Sequence, residues 1–481
     1  MSGLLRRAAT YTAGGLLSQG VVFLLWLILP WLLPPAEIGL FALAMFAVEL
    51  LTTLATLGMD AALVRFAGEG GKRPTVLAAG YLNGTLAYLA VALLVGLLAF
   101  VGPAGWSNIL DWVTGHAGLV LLAVLANVLW NLFQSGQVAA RQAGRYAGYQ
   151  LGKALLYFVL ALAFTQWLEA TAALLIASAA VASTVMLTIA LLREGFPERL
   201  PLAEVAAEGR NLGRYGLPLM FYGLLGIFVT YTQRLLMDHY SELAMLGVFA
   251  YFNALVIQIN GLWAGVNKAW TPEYFLLVEQ DQGRAMALLR GMMAILMIVY
   301  PALLVAYVLM GEAFLNGMVF PSTYQAQAVL FYVMLLAPLY TGLYSIAYPL
   351  YYYDLRTRRI LAISAFLALA NLLIGLLLIE GWAARGAALS FLLLAMLTAW
   401  TYLLAYPGWR GEGRLVTAIA VATLSGLVAS VCLLIYGSVW LYALLLAATS
   451  GAAWLLCRDT ASPLFIRFLR ALKHDVAAPA P

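Results

Sequence analysis

Charge is scarce in this chain. Only 10% of its 481 residues are Asp, Glu, Lys or Arg, while 64% are hydrophobic. A soluble globular domain carries about 25% charged and about 45–50% apolar residues. No soluble fold of this length hides that much apolar surface, so the composition excludes a soluble enzyme and makes lipid the solvent. Cysteine is nearly absent. Cys432 and Cys457 both lie in apolar stretches, which argues against a disulfide framework or a thiolate metal site. Histidine is as rare: His116, His239 and His474 are scattered and make no ligand pattern. Long polar segments are missing too. No break between apolar runs exceeds about 20 residues by the length a span requires. That leaves no room for a soluble catalytic domain, and the sequence holds no P-loop, zinc-ligand spacing or nucleophile elbow. This argues against an ATP-driven pump with its motor in the same chain. The net charge of +5 does not indicate nucleic-acid binding, because membrane proteins collect Lys and Arg in cytoplasmic loops.

What is present is a succession of apolar runs. A span needs roughly 20 apolar residues at 1.5 Å rise each. Runs of that kind fall near 8–33, 38–64, 74–102, 117–140, 146–166, 169–192, 212–237, 243–270, 285–312, 323–352, 359–379, 384–406, 414–436 and 438–457. The breaks carry turn chemistry, as in Pro34-Pro35, Gly70-Gly71-Lys72 and Gly411-Glu412-Gly413. The first run follows Arg6-Arg7 and is longer than a signal-peptide core, with no small-x-small cleavage site, so it is expected to be retained as the first span.

The positive-inside rule tests this count independently. With both termini in the cytoplasm, 22 of the 26 Lys and Arg residues fall at cytoplasmic positions, and only Arg385 falls outside. Lys153, Arg234 and Lys268 lie within spans. Adding or removing one span would invert half of this pattern. The expected setting is a multi-pass protein of the cell (inner) membrane. Trp31, Trp106, Trp112, Trp167, Trp270 and Trp382 lie near span ends and fit interfacial belts, with packing as the alternative for each.

The chain also repeats. Gly39-Leu40-Phe41-Ala42 opens span 2 and Gly247-Val248-Phe249-Ala250 opens span 8, an offset of 208. Thr171-Ala172-Ala173-Leu174 opens span 6 and Gly386-Ala387-Ala388-Leu389 opens span 12, an offset of 215 that also carries Arg141 onto Arg356. These matches place spans 1–6 over spans 7–12 as parallel repeats, an arrangement in which transporters bind substrate between the halves. The expected organisation is a six-helix lobe at 1–193, a cytoplasmic linker at 194–211, a second six-helix lobe at 212–408, two further transmembrane helices within 409–457, and a cytoplasmic tail at 458–481.

Three stretches bear a likeness to a known family. They are Leu29-Pro30 through Glu37-Ile38-Gly39-Leu40-Phe41 with Leu57-Gly58-Met59-Asp60 and Arg65; Tyr215-Gly216-Leu217-Pro218 with Gln233-Arg234 and Leu246-Gly247-Val248-Phe249; and Tyr352-Tyr353-Asp354 with Arg358, Asn371 and Gly386-Ala387-Ala388-Leu389-Ser390. In these the chain resembles the bacterial oligosaccharide flippases, or polysaccharide transporters, of the superfamily that includes multidrug and toxin extrusion antiporters and lipid II flippases. The resemblance implies an all-α carrier whose two six-helix repeats form a V, with two extra C-terminal helices. It also implies translocation of an undecaprenyl-pyrophosphate-type, lipid-linked oligosaccharide from the cytoplasmic to the outer leaflet, for O-antigen or exopolysaccharide biosynthesis. A polysaccharide polymerase and assembly proteins would be its partners. The family often has an Asp where Gln233 stands here.

Ionisable groups inside the membrane cost about 2.5–3.5 kcal/mol each on insertion scales and so point to function. Glu49, mid-span 2, is a candidate for coupling to H+ or Na+, or else for a packing ion pair; no other cofactor is expected. Lys153 is a candidate for pyrophosphate contact or for snorkelling to the interface. Arg234 offers a bidentate fork to phosphate, or pairs with Asp238 one turn on. Asp60 and Lys268 are related by the offset of 208 and pair as an inner gate or stand as separate interfacial charges. Asn253, Asn260 and Asn267 share one face of span 8, to line a sugar path or to bond between helices. Tyr344 belongs to a Tyr340-Tyr344-Tyr348-Tyr351 face suited to sugar or to packing. The cationic lean of the intramembrane groups favours an anionic substrate over the cations of a multidrug antiporter, which is the alternative. The short outer loops leave a membrane-embedded polymerase or ligase a weaker fit.

Overall fold

The computed structural model describes residues 2–67, 73–101, 107–194, 201–312, 316–353, 357–405 and 413–457. All of its regular structure among those residues is helical. The helices are α1 (Ser2–Leu32), α2 (Pro35–Thr56), α3 (Met59–Phe66), α4 (Arg73–Val101), α5 (Asn108–Gly115), α6 (Ala117–Ala139), α7 (Ala143–Trp167), α8 (Ala172–Glu194) and α9 (Leu202–Tyr240). They continue as α10 (Leu243–Gln280), α11 (Gln282–Met310), α12 (Asn316–Val319), α13 (Ser322–Gln325), α14 (Ala328–Met334), α15 (Ala337–Tyr353), α16 (Thr357–Ala405) and α17 (Gly413–Tyr436). The last is α18 (Val439–Cys457).

Among the described residues, thirteen stretches are long and apolar enough to cross a membrane. One of them, Ala362–Ala405 in α16, has 44 residues. As a continuous helix it would rise about 66 Å at 1.5 Å per residue, twice the roughly 30 Å of a hydrocarbon core. It is two passes. Ala383 sits at φ 47, ψ −124, outside any helical conformation, and splits it. A Cβ added at Gly386 would collide with the Leu378 carbonyl and stand 3.0 Å from the Ile379 nitrogen. Glycine is therefore what lets the chain reverse so tightly. The thirteen stretches thus make fourteen passes, the number expected from the sequence.

Three expectations are corrected in detail. Span 2, expected at 38–64, is interrupted. α2 ends at Thr56, Leu57 (φ 50) and Gly58 (φ 69) both adopt left-handed backbone, and α3 then begins. Span 10, expected as one helix over 323–352, is broken between Met334 and Ala337. Pro338 lacks the N–H that would bond the carbonyl four residues back, so the ladder fails there. The Leu335 carbonyl freed nearby is taken by the Tyr300 hydroxyl at 2.6 Å. Trp112, expected in an interfacial belt, is instead buried and stacked on His116, with ring centroids 4.7 Å apart. Trp31, Trp167 and Trp382 are exposed as a belt requires. Trp106, like Gly70, Gly71, Lys72, Asp354, Arg356 and the tail 458–481, lies outside the described residues.

Residues up to Gln258 form one compact unit and those from Ile259 onward another. In the first, α2 runs at the centre, against α4, α6, α8 and α9. α1 lies on α7, where Gly14 meets Ala147 at a distance that admits no larger residue. Glu37 accepts the Ala172 backbone N–H at 2.7 Å. An acidic side chain there satisfies an orphan donor and complements the positive end of α8.

The repeat is visible in three dimensions within this unit. A Cβ at Gly39 would stand 2.5 Å from the Leu243 carbonyl oxygen and 3.1 Å from the Gly247 nitrogen. A Cβ at Gly247 would collide with the Pro35 carbonyl and stand 2.9 Å from the Gly39 nitrogen. Both pairs, Pro35/Leu243 and Gly39/Gly247, are separated by 208 positions. The contact is therefore reciprocal, as a local two-fold axis between the starts of α2 and α10 demands.

In the second unit α15 packs on α16 and α11, and α14 packs on α16 and α17. Polar side chains bridge these helices. Tyr442 donates to the Tyr332 carbonyl at 2.8 Å, Ser450 to the Ile298 carbonyl at 2.9 Å, and Trp400 Nε1 to Thr423 Oγ1 at 3.0 Å. In lipid, where apolar contact gives no solvent-driven gain, such bonds and close packing hold helices together.

Candidate functional site

Three helices of the first unit converge on a charged cluster. α2 contributes Glu49, α9 contributes Tyr231 and Arg234, and α10 contributes Asn253. Tyr231 and Arg234 are three apart on a helix and so share a face. The Tyr231 hydroxyl donates to Glu49 Oε2 at 2.5 Å. The Arg234 guanidinium carbon lies 4.8 Å from the centre of the Tyr231 ring. Its Nη2 donates to Asn253 Oδ1 at 2.8 Å. The result is a line of carboxylate, phenol, guanidinium and amide running from α2 through α9 to α10.

Burial along this line is uneven. Arg234 is 6% exposed and Asn253 2%, whereas Glu49 is exposed. The Arg234 Nε is buried with no hydrogen-bond partner. A buried guanidinium costs several kcal/mol to desolvate unless its charge is balanced and its donors are met. Here the ring face, the amide and the neighbouring carboxylate offset part of that cost, and one donor remains in reserve. Chemically the cluster can hold an anion, or exchange an internal carboxylate for an external one.

Hydrophobic side chains brace the cluster. Tyr231 packs with Phe46 and Ile227, flanked by Leu50, Ile109 and Leu235. The Phe46 and Tyr231 ring centroids are 5.3 Å apart. Ile109 comes from α5, the short helix between the third and fourth spans.

Of the residues singled out in the sequence, Glu49, Arg234 and Asn253 come together. Arg234 does not pair with Asp238, which instead accepts the Asn108 side-chain N–H at 2.8 Å. Lys153 stands apart on α7, its ammonium 5.0 Å from the centre of the Trp130 ring. It lies over an aromatic face. Asp60 is exposed in the first turn of α3, where a carboxylate suits the positive helix end. Asn260 is half-buried, and its Oδ1 is buried with no hydrogen-bond partner. Tyr344 packs on Tyr402 with centroids 4.6 Å apart, and Tyr340 is wholly buried. The side chains of Asn267, Lys268, Tyr348 and Tyr351 lie outside the described residues. Tyr231 was not singled out by sequence. It is one of 26 tyrosines, and only its place three residues before Arg234 marked it.

The fold is that of known carriers. The solved structure titled "Lipid II flippase MurJ, inward closed conformation" superposes with a TM-score of 0.67 at 11% identity, covering 95% of this chain and 99% of that one. A MOP superfamily transporter from Pyrococcus furiosus gives a TM-score of 0.53 at 12% identity, over 86% and 96% of the two chains. A structure titled "Crystal structure of MATE in complex with MaD5" gives 0.55 at 14% identity, over 86% and 97%. No curated protein matches in sequence. The model of one family, described as polysaccharide biosynthesis protein, matches residues 4–275, more than half of the chain. This multi-pass membrane protein, with the fold of the MOP superfamily transporters, belongs to the polysaccharide biosynthesis protein family.

Proposed function

We propose that the chain is a flippase that carries lipid-linked oligosaccharide, of the undecaprenyl-pyrophosphate type, from the cytoplasmic to the outer leaflet. Its end bearing Arg65, Arg73, Arg141, Arg145 and Arg193 faces the cytoplasm in this reading, with both termini on that side of the inner membrane. The observation that carries the proposal is the buried Arg234, held by Tyr231 and Asn253 with its Nε unpaired, in a chain of the polysaccharide biosynthesis family. A fixed guanidinium suits phosphate because its planar fork matches the oxygen geometry. The contacts of α2 with α9 and of Gly39 with Gly247 are those an outward-opening step would have to part. Glu49 serves as the coupling carboxylate for H+ or Na+ in this scheme. Its carboxylate takes the Tyr231 hydroxyl, so its charge state alters how the cluster is held.

Lys153, Lys268, Asn260 and Asn267 remain proposed substrate contacts and Asp60 a proposed gating residue. Surface polysaccharide such as O-antigen or exopolysaccharide is the proposed end use, with a polymerase and assembly proteins as partners.

Loss of the gene in its host tests the proposal. Lipid-linked repeat units should accumulate at the cytoplasmic leaflet, and normal surface glycan would refute it. A multidrug or cation antiporter is the second reading, favoured by the likeness to the MATE structure. It predicts drug or cation resistance lost with the gene and glycan unaffected.

A further inference from the structure

α5 is a short helix between the third and fourth spans, and three observations tie it to the cluster below. Its start is fixed by its own sequence, since Ser107 Oγ accepts the Leu110 N–H at 3.3 Å in the N-cap manner. Its underside is buried at Trp112 and Val113, against α2, α4 and α6. Its first residues cross to α9. Asn108 Nδ2 donates to Asp238 Oδ1 at 2.8 Å, and the Ile109 backbone N–H donates to the same carboxylate. Ile109 itself packs against the Phe46, Ile227 and Tyr231 cluster, whose Tyr231 bridges Glu49 and Arg234.

α5 is therefore held from two sides. Its apolar face belongs to the first six spans, and its amino end is pinned to span 7 by one carboxylate. Asp238 meets two donors at a helix start, an arrangement that suits a negative charge. Parting α2 from α9 with α5 kept on the first six spans breaks the Asp238 bonds and draws Ile109 off the Phe46, Ile227 and Tyr231 cluster. We infer that α5 is a latch: its Asn108–Ile109 end, bound to Asp238, keeps the α2–α9 contact around Glu49 and Tyr231 shut, and must release before that contact opens. The inference rests on the carrier reading for its purpose, but not for its test, which needs no substrate.

The test reads access to Leu50, partly buried against the same Phe46, Ile227 and Tyr231 cluster as Ile109. Leu50→Cys is placed in a background with Cys432→Ser and Cys457→Ser, and labelling by a membrane-impermeant maleimide is followed in intact cells with a permeabilised outer envelope. Asn108→Ala and Asp238→Ala should each raise the labelling rate about tenfold, the scale of one lost charge-assisted hydrogen bond. Thr114→Ala, half-buried on α5 with its hydroxyl bonded to carbonyls of its own helix, should leave it unchanged. Equal rates in all variants would overturn the latch, as would a rise with Thr114→Ala as large as with Asp238→Ala. A second variant guards against misfolding. Asn108→Cys with Asp238→Cys, oxidised to a disulfide, should abolish labelling. Undiminished labelling with the disulfide formed overturns the inference.

Discussion

Gly39 and Gly247 touch through their backbones, each lying against the carbonyl at the start of the other's helix. Two equivalent positions of a repeat meet only where the relating axis passes between them. No side chain fits there, and this is what glycine supplies at both places. Gly247→Ala would drive a methyl group into the Pro35 carbonyl. Overpacking of this kind costs about 1–3 kcal/mol. The expected outcome is a lower unfolding temperature of the detergent-purified protein. Gly226→Ala, an exposed helical position with nothing within 4 Å, should be neutral or raise it, since alanine favours helix over glycine by about 1 kcal/mol. Equal effects of the two would show that the contact does not constrain the helices.

Tyr231 joins two functions in one side chain, a hydroxyl for Glu49 and a ring for Arg234 and Phe46. The two separate by mutation. Tyr231→Phe removes only the hydroxyl. Glu49 is exposed, so the loss should fall at the low end for a hydrogen bond to a charged group, about 1.5 kcal/mol. Tyr231→Ala also removes the packing and the cation–π contact and should cost about 3–5 kcal/mol, as large-to-small changes in a core do. Thermal unfolding of the two variants checks the order. A loss from Tyr231→Phe as large as from Tyr231→Ala would place the weight on the hydroxyl instead.

Much of this was legible beforehand, and the reason is lipid. A span must be long, apolar and helical to satisfy its backbone, so the passes among the described residues lie close to the apolar runs. The breaks were harder. Gly58 and Pro338 stood in plain view, but a glycine or proline inside an apolar run interrupts a helix only if a neighbour accepts the freed groups, as Tyr300 does for Leu335. In the site, Glu49, Arg234 and Asn253 announced themselves because charge and amide are costly in lipid. Tyr231 and α5 did not. A tyrosine carries no such cost, and the value of an eight-residue helix lies in where its first turn lands, which is a matter of tertiary contact.

Arg234 should not tolerate lysine. A lysine in its place keeps the charge but loses the flat ion that lies over Tyr231 while bonding Asn253. In a host deleted for the gene, Arg234→Lys and Arg234→Gln should both fail to restore surface polysaccharide. Asn253→Leu leaves a buried guanidinium donor unmet, a cost of about 1–3 kcal/mol or more, and should restore it only weakly. Full restoration by Arg234→Lys would reduce the residue's role to charge alone.

The interruption of span 2 gives the last expectation. Gly58 has a left-handed backbone, φ 69, and a Cβ there would collide with the Gly216 carbonyl of α9. A Cβ at Gly216 would in turn stand 2.6 Å from the Leu57 carbonyl oxygen and 3.0 Å from that of Gly58. One close approach of two backbones thus depends on both glycines. Gly58→Ala pays for strain and for the clash; Gly216→Ala pays for the clash alone. Gly58→Ala should therefore be the more harmful single change, by about the 1–2 kcal/mol that left-handed backbone costs a residue with a Cβ. The double variant should cost clearly less than the sum, because helices already forced apart by one methyl group have room for the second. Coupling between contacting residues runs at about 0.5–3 kcal/mol, within reach of denaturant unfolding in detergent. Strict additivity would mean that the two glycines are needed for separate reasons and that α3 and α9 do not meet there.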